Sequence, residues 1–231
     1  MKKIFILVSM ITLVFSGFLS FVNPVSAEVS DNLISNDNNF EYEFLIDEPD
    51  YQKIKITNLE TEEVEYLETI YEDNEYSFVA TTEEATYDIK SNEKEVVVTN
   101  RNTGENEVTI LLDDKGISDE KARNSINSIV EPSASWSTIN HWYSSKALNT
   151  TVASVIAGVI ASIYGGPITG IVVTIAGGYA SIKAGHAYFH VQQQTKNEGN
   201  AWYRRDVYNW YKYHDYTVHL GTTTTQTWRI K

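Results

Sequence analysis

One stretch of the chain, residues 147–182, constrains the fold more than any other. It reads ALNTTVASVIAGVIASIYGGPITGIVVTIAGGYASI and contains 36 consecutive residues without a formal charge. Gly165-Gly166-Pro167 divides this stretch, because glycine loosens the backbone and proline cannot continue a helix from the residues before it. The stretch therefore predicts an apolar helical hairpin over residues 148–164 and 167–182, with Pro167 at the first position of the second helix.

Small residues recur every four positions in both predicted helices, and such faces let two helix backbones approach closely. The predicted packing and turn positions are Ser154, Gly158, Ser162, Gly165, Gly166, Pro167, Ala176 and Ala180. The predicted membrane-insertion residues are Val152, Val155, Ile156, Val159, Ile160, Ile163, Ile168, Ile171, Val172 and Ile175. Each half is shorter than the ~20 apolar residues of a single transmembrane helix. Two interpretations stay open: a hairpin that enters a bilayer after a trigger, and the core of an α+β domain.

The first 27 residues have the pattern of a secretory signal peptide. Lys2 and Lys3 precede an uncharged apolar run, and Pro24 precedes the small-residue cleavage pattern that ends at Ala27. We therefore predict a secreted, extracellular protein whose mature chain begins at Glu28. A retained N-terminal anchor is the alternative.

The charge is distributed very unevenly over the mature chain. Residues 28–131 contain 28 acidic and 8 basic residues, a local charge of −20, whereas residues 132–231 contain 3 acidic and 8 basic residues, a local charge of +5. Such asymmetry is a signal for a partner, and the simplest partner of each part is the other. We predict an acidic β-rich pro-region or masking domain over residues 28–131 and a second domain over residues 132–231.

No residue pattern in the chain dictates a reaction. The absence of cysteine excludes a thiol nucleophile and a cysteine-ligated metal. His186 and His190 have a spacing that can hold a metal, but no third ligand is evident. A pH-sensitive helix end is the other interpretation of this pair. We predict no catalytic residue, no metal and no cofactor, and therefore a non-enzymatic protein; a hydrolase whose site is not visible in the sequence is a third, weaker hypothesis.

The acidic part alternates apolar and polar residues, which is typical of half-buried antiparallel strands. The predicted strands are residues 41–47, 52–57, 63–67, 75–80, 85–90, 95–100 and 107–112. Ile56-Thr57-Asn58-x-x-Thr61-x-Glu63 recurs as Val98-Thr99-Asn100-x-x-Thr103-x-Glu105, which indicates a duplicated β-meander or small sandwich, or a chance similarity of strand–turn–strand sequence. Residues 117–130 have helical spacing, with a capping signal at Ser118.

The C-terminal part predicts a continued helix and then an aromatic β-hairpin. Residues 183–194 extend the second helix, and Gly221 is the predicted turn between strands at residues 206–220 and 223–230. Aromatic rings interleaved with bases can bind membrane interfaces or polymers; secretion argues against nucleic acid. The predicted surface-binding residues are Trp202, Tyr203, Arg204, Arg205, Trp210 and Lys212. Cross-strand aromatic pairs that only stabilise the hairpin are the alternative.

The predicted fold is α+β: an acidic antiparallel β N-terminal part, then a Gly/Ala-rich apolar helical hairpin and a C-terminal aromatic β-hairpin. This layout resembles the geobacillin-like large bacteriocins of Gram-positive bacteria, and the likeness is carried by residues 151–182 and 202–225. The resemblance implies a secreted antibacterial protein with a C-terminal active portion released by processing.

The leading hypothesis is a protein that acts through the hairpin on the membrane of related Gram-positive bacteria, with an anionic membrane or cell-wall polymer as partner and an oligomer on the membrane. The alternative is a non-enzymatic secreted or cell-envelope protein whose hairpin is an anchor or a buried core.

Overall fold

Two antiparallel sheets and two short helices make up the described part of the chain, so the predicted α+β class is confirmed. The structure is a computed structural model that describes residues 39–92, 94–111 and 135–230, all within one compact unit, Ile34–Lys231. The predicted signal peptide and the predicted helix at residues 117–130 lie outside the described residues. The boundary at residue 131 also lies there and stays a prediction.

The first sheet, sheet A, is a meander of seven strands that pair in chain order. Its strands are β1 (Phe40–Asp47), β2 (Tyr51–Asn58), β3 (Val64–Glu72), β4 (Glu75–Thr81), β5 (Thr86–Ser91), β6 (Glu95–Asn100) and β7 (Asn106–Leu111). All seven predicted strands are confirmed, with ends that agree within one residue except at β3, which continues to Glu72, five residues beyond its predicted end. Apolar and polar residues alternate along these strands because one face of the sheet is buried, as the sequence predicted. The buried side chains of this face include Ile54, Ile56, Leu67, Phe78, Ile89, Val96 and Val98.

The repeated segment forms the same loop at both of its positions. Asn58 N–H donates to Glu63 O at 2.9 Å, and Asn100 N–H donates to Glu105 O at 3.0 Å. Each asparagine side chain also accepts a backbone hydrogen bond two residues ahead, at 2.9 Å in both loops. The sequence likeness is therefore a likeness of turn chemistry, in which asparagine closes an Asx turn.

The apolar stretch forms a helical hairpin, as predicted, but with shorter helices. Helix α1 is Ala153–Tyr164 and helix α2 is Gly170–Ser181, so Pro167 precedes α2 instead of starting it. The structure explains why both positions of the turn are occupied by glycine. Gly165 has φ 70°, a left-handed conformation that favours glycine, and a Cβ at Gly166 would overlap the ring of Tyr164.

The second sheet, sheet B, has the strand order β11-β10-β9-β8, with the short β12 also pairing to β10. Its strands are β8 (Ser137–Ala147), β9 (His186–Glu198), β10 (Ala201–Tyr211), β11 (His219–Thr224) and β12 (Trp228–Arg229).

The predicted helical extension over residues 183–194 is wrong, because β9 begins at His186 and pairs with both β8 and β10. Helix α2 ends where Lys183 adopts φ 49°. There, Lys183 N–H donates to Ala180 O and Ala184 N–H donates to Tyr179 O, both at 3.0 Å. This is the hydrogen-bond pattern of a Schellman motif.

The predicted turn at Gly221 is also wrong. Gly221 lies inside β11, opposite Trp210, and the turn between β10 and β11 is formed by residues 212–218. A Cβ at Gly221 would lie 3.0 Å from side-chain atoms of Ile171 and Ile175. The glycine is therefore explained by a close approach of β11 to helix α2.

The two helices occupy the space between the sheets. Helix α1 packs on β3 to β6 of sheet A, and α2 contacts β1 of sheet A and β11 of sheet B. Two adjacent glycines of α2 allow this double contact: a Cβ on Gly177 would lie 3.2 Å from Phe40 of β1, and one on Gly178 would lie 2.8 Å from Leu220. The buried residues of both sheets and both helices form one hydrophobic cluster.

Candidate functional site

The hairpin is covered on nearly all sides. All twelve residues of α1 are buried, and so are eight of the twelve in α2. Among the ten predicted insertion residues, only Ile171 is exposed, at 38%, and Val152 is half-buried. The apolar side chains that the sequence suggested for membrane contact are therefore the centre of the hydrophobic core in this fold. Among the described residues, no helix combines the length and the apolar character needed to cross a membrane.

Small residues bring α1 close to sheet A. An added Cβ on Gly158 would lie 2.5 Å from Ile89 Cδ1 and 3.4 Å from Phe78 Cβ. The hydroxyl of Ser162 donates to the carbonyl of Gly158 at 2.8 Å, so this polar group is satisfied within the helix. The predicted small-residue face therefore packs a helix on a sheet in the folded chain.

Two polar contacts fix the ends of the hairpin. The carboxylate of Glu65, on β3, accepts a hydrogen bond from Ser154 N–H at the start of α1. Near the end of α2, the hydroxyl of Tyr179 donates to Tyr211 O at 2.7 Å and accepts from Tyr188 N–H at 3.1 Å. Burial raises the pKa of the Tyr179 hydroxyl. The first contact ties the hairpin to sheet A, and the second ties it to sheet B.

The outer face of sheet B carries a continuous group of rings that contains all five histidines of the chain. We call it the aromatic–histidine face; its residues are His141, Tyr143, His186, Tyr188, His190, Tyr211, His214, Tyr216 and His219. Neighbouring ring centroids are between 4.4 and 6.4 Å apart. Tyr143 is the most exposed tyrosine of this face, at 57%. Surface rings of this kind can bind sugars or membrane interfaces.

His190 lies at the centre of the best-defined part of this face. Its Nε2 is 3.3 Å from Nδ1 of His141, and its ring stacks on Tyr143 with a centroid distance of 4.4 Å. Burial, and secondarily the neighbouring His141, lower the pKa of His190. Burial also lowers the pKa of His219. These two imidazoles therefore favour their neutral form more than an exposed histidine does.

The sequence analysis did not find this face. The sequence pattern that could have revealed it is the alternation in residues 186–191. The side chains of Ala187, Phe189 and Val191 point to the core, and those of His186, Tyr188 and His190 point outward. The prediction placed these residues on a helix, so it grouped His186 with His190. In the structure His190 contacts His141 of the neighbouring strand instead.

The predicted surface-binding residues are divided between the two faces of sheet B. Arg205 lies on the outer face with its guanidinium 4.2 Å from the ring of Trp136, and Lys196 Nζ lies 5.5 Å from the same ring. Trp202, Tyr203 and Lys212 are half-buried.

Arg204 and Trp210 are not surface groups, and their predicted surface role is corrected here. They are 3% and 0% exposed because their side chains point inward from β10. Arg204 Nε lies 3.5 Å from Asp206 Oδ1, and Trp210 Nε1 donates to Thr223 Oγ1 at 2.8 Å. The second contact satisfies the buried indole N–H of Trp210, as burial requires, and the first is an ion pair between two buried charges.

Two clefts open near the turn of the hairpin. One, of about 360 Å³, is lined by residues of α1, of β4 and of sheet B, among them Tyr76, Tyr164, Asp206 and Trp228. The other, of about 280 Å³, lies beside Pro167 and shares Tyr76 with the first. Asp206 is ion-paired with Arg204 in the first cleft, so its carboxylate has a structural partner.

Within the described residues, no group of three or more His, Cys, Asp or Glu side chains could hold a metal ion. Comparison of the chain with protein-family models, with curated proteins and with solved structures finds no match. The functional argument therefore rests on the two features above, the covered hairpin and the aromatic–histidine face.

Proposed function

We propose that this chain is a secreted antibacterial, bacteriocin-like protein that acts on the membrane of related Gram-positive bacteria through its apolar hairpin. The observation that carries the proposal is that an uncharged 36-residue stretch is held between two sheets, with α1 buried along its whole length. In this proposal the acidic antiparallel sheet A is the masking part, and the Gly/Ala-rich hairpin is the part that reaches lipid. The aromatic C-terminal strands remain with the hairpin.

Chain connectivity supports a separation between the hairpin and sheet A. The helices lie between β8 and β9 in the sequence, so they are joined directly to sheet B on both sides. In the covalent chain, sheet A is linked to this part through residues 112–136. Loss of the contacts of β1 and β3–β6 with the helices would uncover the hairpin without breaking sheet B.

The charge distribution supports an anionic target. The acidic part carries a local charge of −20 and the C-terminal part +5, so their attraction stabilises the covered state. Once sheet A is displaced, the cationic part can bind an anionic membrane or a cell-wall polymer. Nucleic acid is not the expected partner, and an oligomer on the membrane is the expected active form.

A disulfide between sheet A and the hairpin tests this proposal directly. A Cβ on Gly177 of α2 would lie 3.2 Å from Cβ of Phe40 on β1, and its three nearest atoms all belong to Phe40. Cβ atoms of disulfides are about 3.5–4.5 Å apart, and the Phe40→Cys substitution removes the ring that occupies the space. Because the chain has no other cysteine, the double variant Phe40→Cys with Gly177→Cys can form only this bond within the molecule.

The measurement is leakage of dye from anionic phosphatidylglycerol liposomes, together with clearing of Gram-positive lawns, at neutral and mildly acidic pH. The reduced double variant is the matched control for both substitutions. We expect the reduced form to release dye and the oxidised form to release little. Equal leakage from the two forms would show that leakage does not require α2 to separate from β1, which would overturn the masking role of sheet A. An absence of leakage and killing from all forms, wild type included, would overturn the membrane mechanism.

A second candidate function is a non-enzymatic secreted or cell-envelope protein in which the hairpin is a permanent core. The burial of all of α1 and the polar contacts at both ends of the hairpin favour this candidate. Its binding surface would be the aromatic–histidine face. It predicts binding to Gram-positive cell walls without leakage, and unchanged binding by the oxidised disulfide variant.

A further inference from the structure

We propose that His141 and His190 form a binding site for a divalent transition-metal ion, with zinc as the probe. The site consists of Nδ1 of His141, on β8, and Nε2 of His190, on β9, which are 3.3 Å apart. This proposal does not depend on the antibacterial function, because it concerns the outer face of sheet B and requires no movement of the hairpin.

The distance between the two nitrogen atoms fits two ligands of one metal ion. Zinc binds imidazole nitrogen at about 2.0–2.1 Å with tetrahedral geometry, which places two ligand nitrogens about 3.3 Å apart. In the structure the same two atoms share one proton in a hydrogen bond. Metal binding replaces that proton and turns the two nitrogen lone pairs toward a common point beside the line that joins them.

The backbone and the neighbouring rings hold both imidazoles in place. His141 pairs with Gln192, and His190 pairs with Tyr143, in the regular ladder between β8 and β9. Tyr143 stacks on the ring of His190 with a centroid distance of 4.4 Å, and its ring centroid lies 4.6 Å from that of Tyr216. Ligands on paired strands lose little conformational freedom on binding, which strengthens a site that has few ligands.

The site is open to solvent, because His141 is exposed and His190 is only half-buried. In the proposed site His141 and His190 provide two ligands, and water or a bound molecule provides the others. Imidazole nitrogen selects zinc, copper and nickel over the hard cations magnesium and calcium. A metal with open positions on an exposed face can also coordinate an anionic group of a partner.

The test is calorimetric titration of untagged full-length protein with zinc chloride, and with calcium chloride as the ligand-chemistry control. We expect one zinc ion per chain and no calcium binding. His141→Asn and His190→Asn should each weaken zinc binding by more than about tenfold, since asparagine retains a hydrogen-bonding amide but not the imidazole ligand. His214→Asn, which changes another ring of the same face, should bind zinc like the wild type.

Nuclear magnetic resonance of the imidazole nitrogens provides an independent readout. On addition of zinc, the resonances of His141 Nδ1 and His190 Nε2 should move together, with smaller changes at His186, His214 and His219. Absence of zinc binding to the wild type would overturn the proposal. Binding that survives in both asparagine variants, or nitrogen shifts centred on another histidine, would overturn it as well.

Discussion

The carboxylate of Glu65 accepts a hydrogen bond from the backbone N–H of Ser154 at 2.6 Å. Glu65 lies on β3 of sheet A, whereas Ser154 is the second residue of α1, 89 positions later in the chain. The N–H groups of a first helical turn have no partner within the helix, and α1 has no side-chain cap of its own. An acidic residue of the predicted masking part therefore supplies the N-terminal cap of the predicted membrane-active helix.

Replacement of this cap should lower the stability of the whole unit. We expect Glu65→Ala to reduce the free energy of unfolding by about 1–2 kcal/mol, because it leaves helix N–H groups without an acceptor and removes a negative charge from the helix N-terminus. Urea unfolding followed by circular dichroism measures this change. Glu63→Ala is the control, since the Glu63 carboxylate accepts a hydrogen bond from the Thr61 hydroxyl in an exposed loop; equal effects of the two substitutions would contradict the capping role.

Tyr179 makes the corresponding contact to sheet B. Its hydroxyl bonds to Tyr211 O and Tyr188 N–H inside the protein. We expect Tyr179→Phe to cost about 1–3 kcal/mol of unfolding free energy, because a buried N–H and a buried C=O lose their partner. Thermal and urea unfolding should both report the loss, and Tyr213→Phe, at a residue 44% exposed, should change stability much less. A stability of Tyr179→Phe equal to that of the control would contradict this prediction.

The strands of sheet A could be predicted because their physical cause is local. Ile54, Ile56, Val96 and Val98 alternate with polar residues, and the buried face of a sheet requires this period. The hairpin turn was equally visible, since Gly165-Gly166-Pro167 excludes a continuous helix. The local sequence does not show which strands cover the hairpin. The burial of α1 against β4 and β5 depends on residues about 70 positions away.

The course of the chain after α2 could not be predicted from the same signals. The helix ends at Lys183 in a left-handed conformation, where glycine or asparagine usually marks the end. Because neither residue stands at position 183, the spacing of Ala176, Ala180 and Ala184 led us to predict that the helix continues through the residues that form β9. The error placed His190 on a helix, and the contact with His141 was missed for this reason.

The ion pair between Asp88 and Arg101 should make stability depend on pH. Arg101 donates to both carboxylate oxygens of Asp88, at 2.9 and 2.6 Å. These hydrogen bonds lower the pKa of Asp88 below its usual value of 3.8. A group with a lowered folded-state pKa contributes stability above its unfolded pKa and loses the contribution as the pH falls through the folded value. The contribution of the pair is therefore present at pH 7 and disappears in acid.

We expect wild type to be more stable than Asp88→Asn at neutral pH, and the difference to shrink as the pH falls below about 3.9. Urea unfolding at a series of pH values measures the difference. Arg101→Gln removes the same pair from the other side, so it should lose the same pH-dependent contribution. A wild-type advantage that stays constant down to the lowest accessible pH would assign the effect of Asp88→Asn to packing instead of charge.

A substitution at the left-handed residue after α2 should increase the stability of the protein. Lys183 has φ 49°, a conformation that costs a residue with a Cβ about 1–2 kcal/mol relative to the right-handed region. We expect Lys183→Gly to raise the free energy of unfolding by about 0.5–1 kcal/mol, since glycine adopts this conformation without strain but is more flexible in the unfolded chain. Lys183→Ala is the matched control, because it removes the same charge and keeps the Cβ. Thermal unfolding of the three proteins distinguishes the causes: a gain in the glycine variant alone assigns the effect to the backbone, whereas an equal gain in both variants would assign it to the lost charge and contradict the Schellman geometry at this helix end.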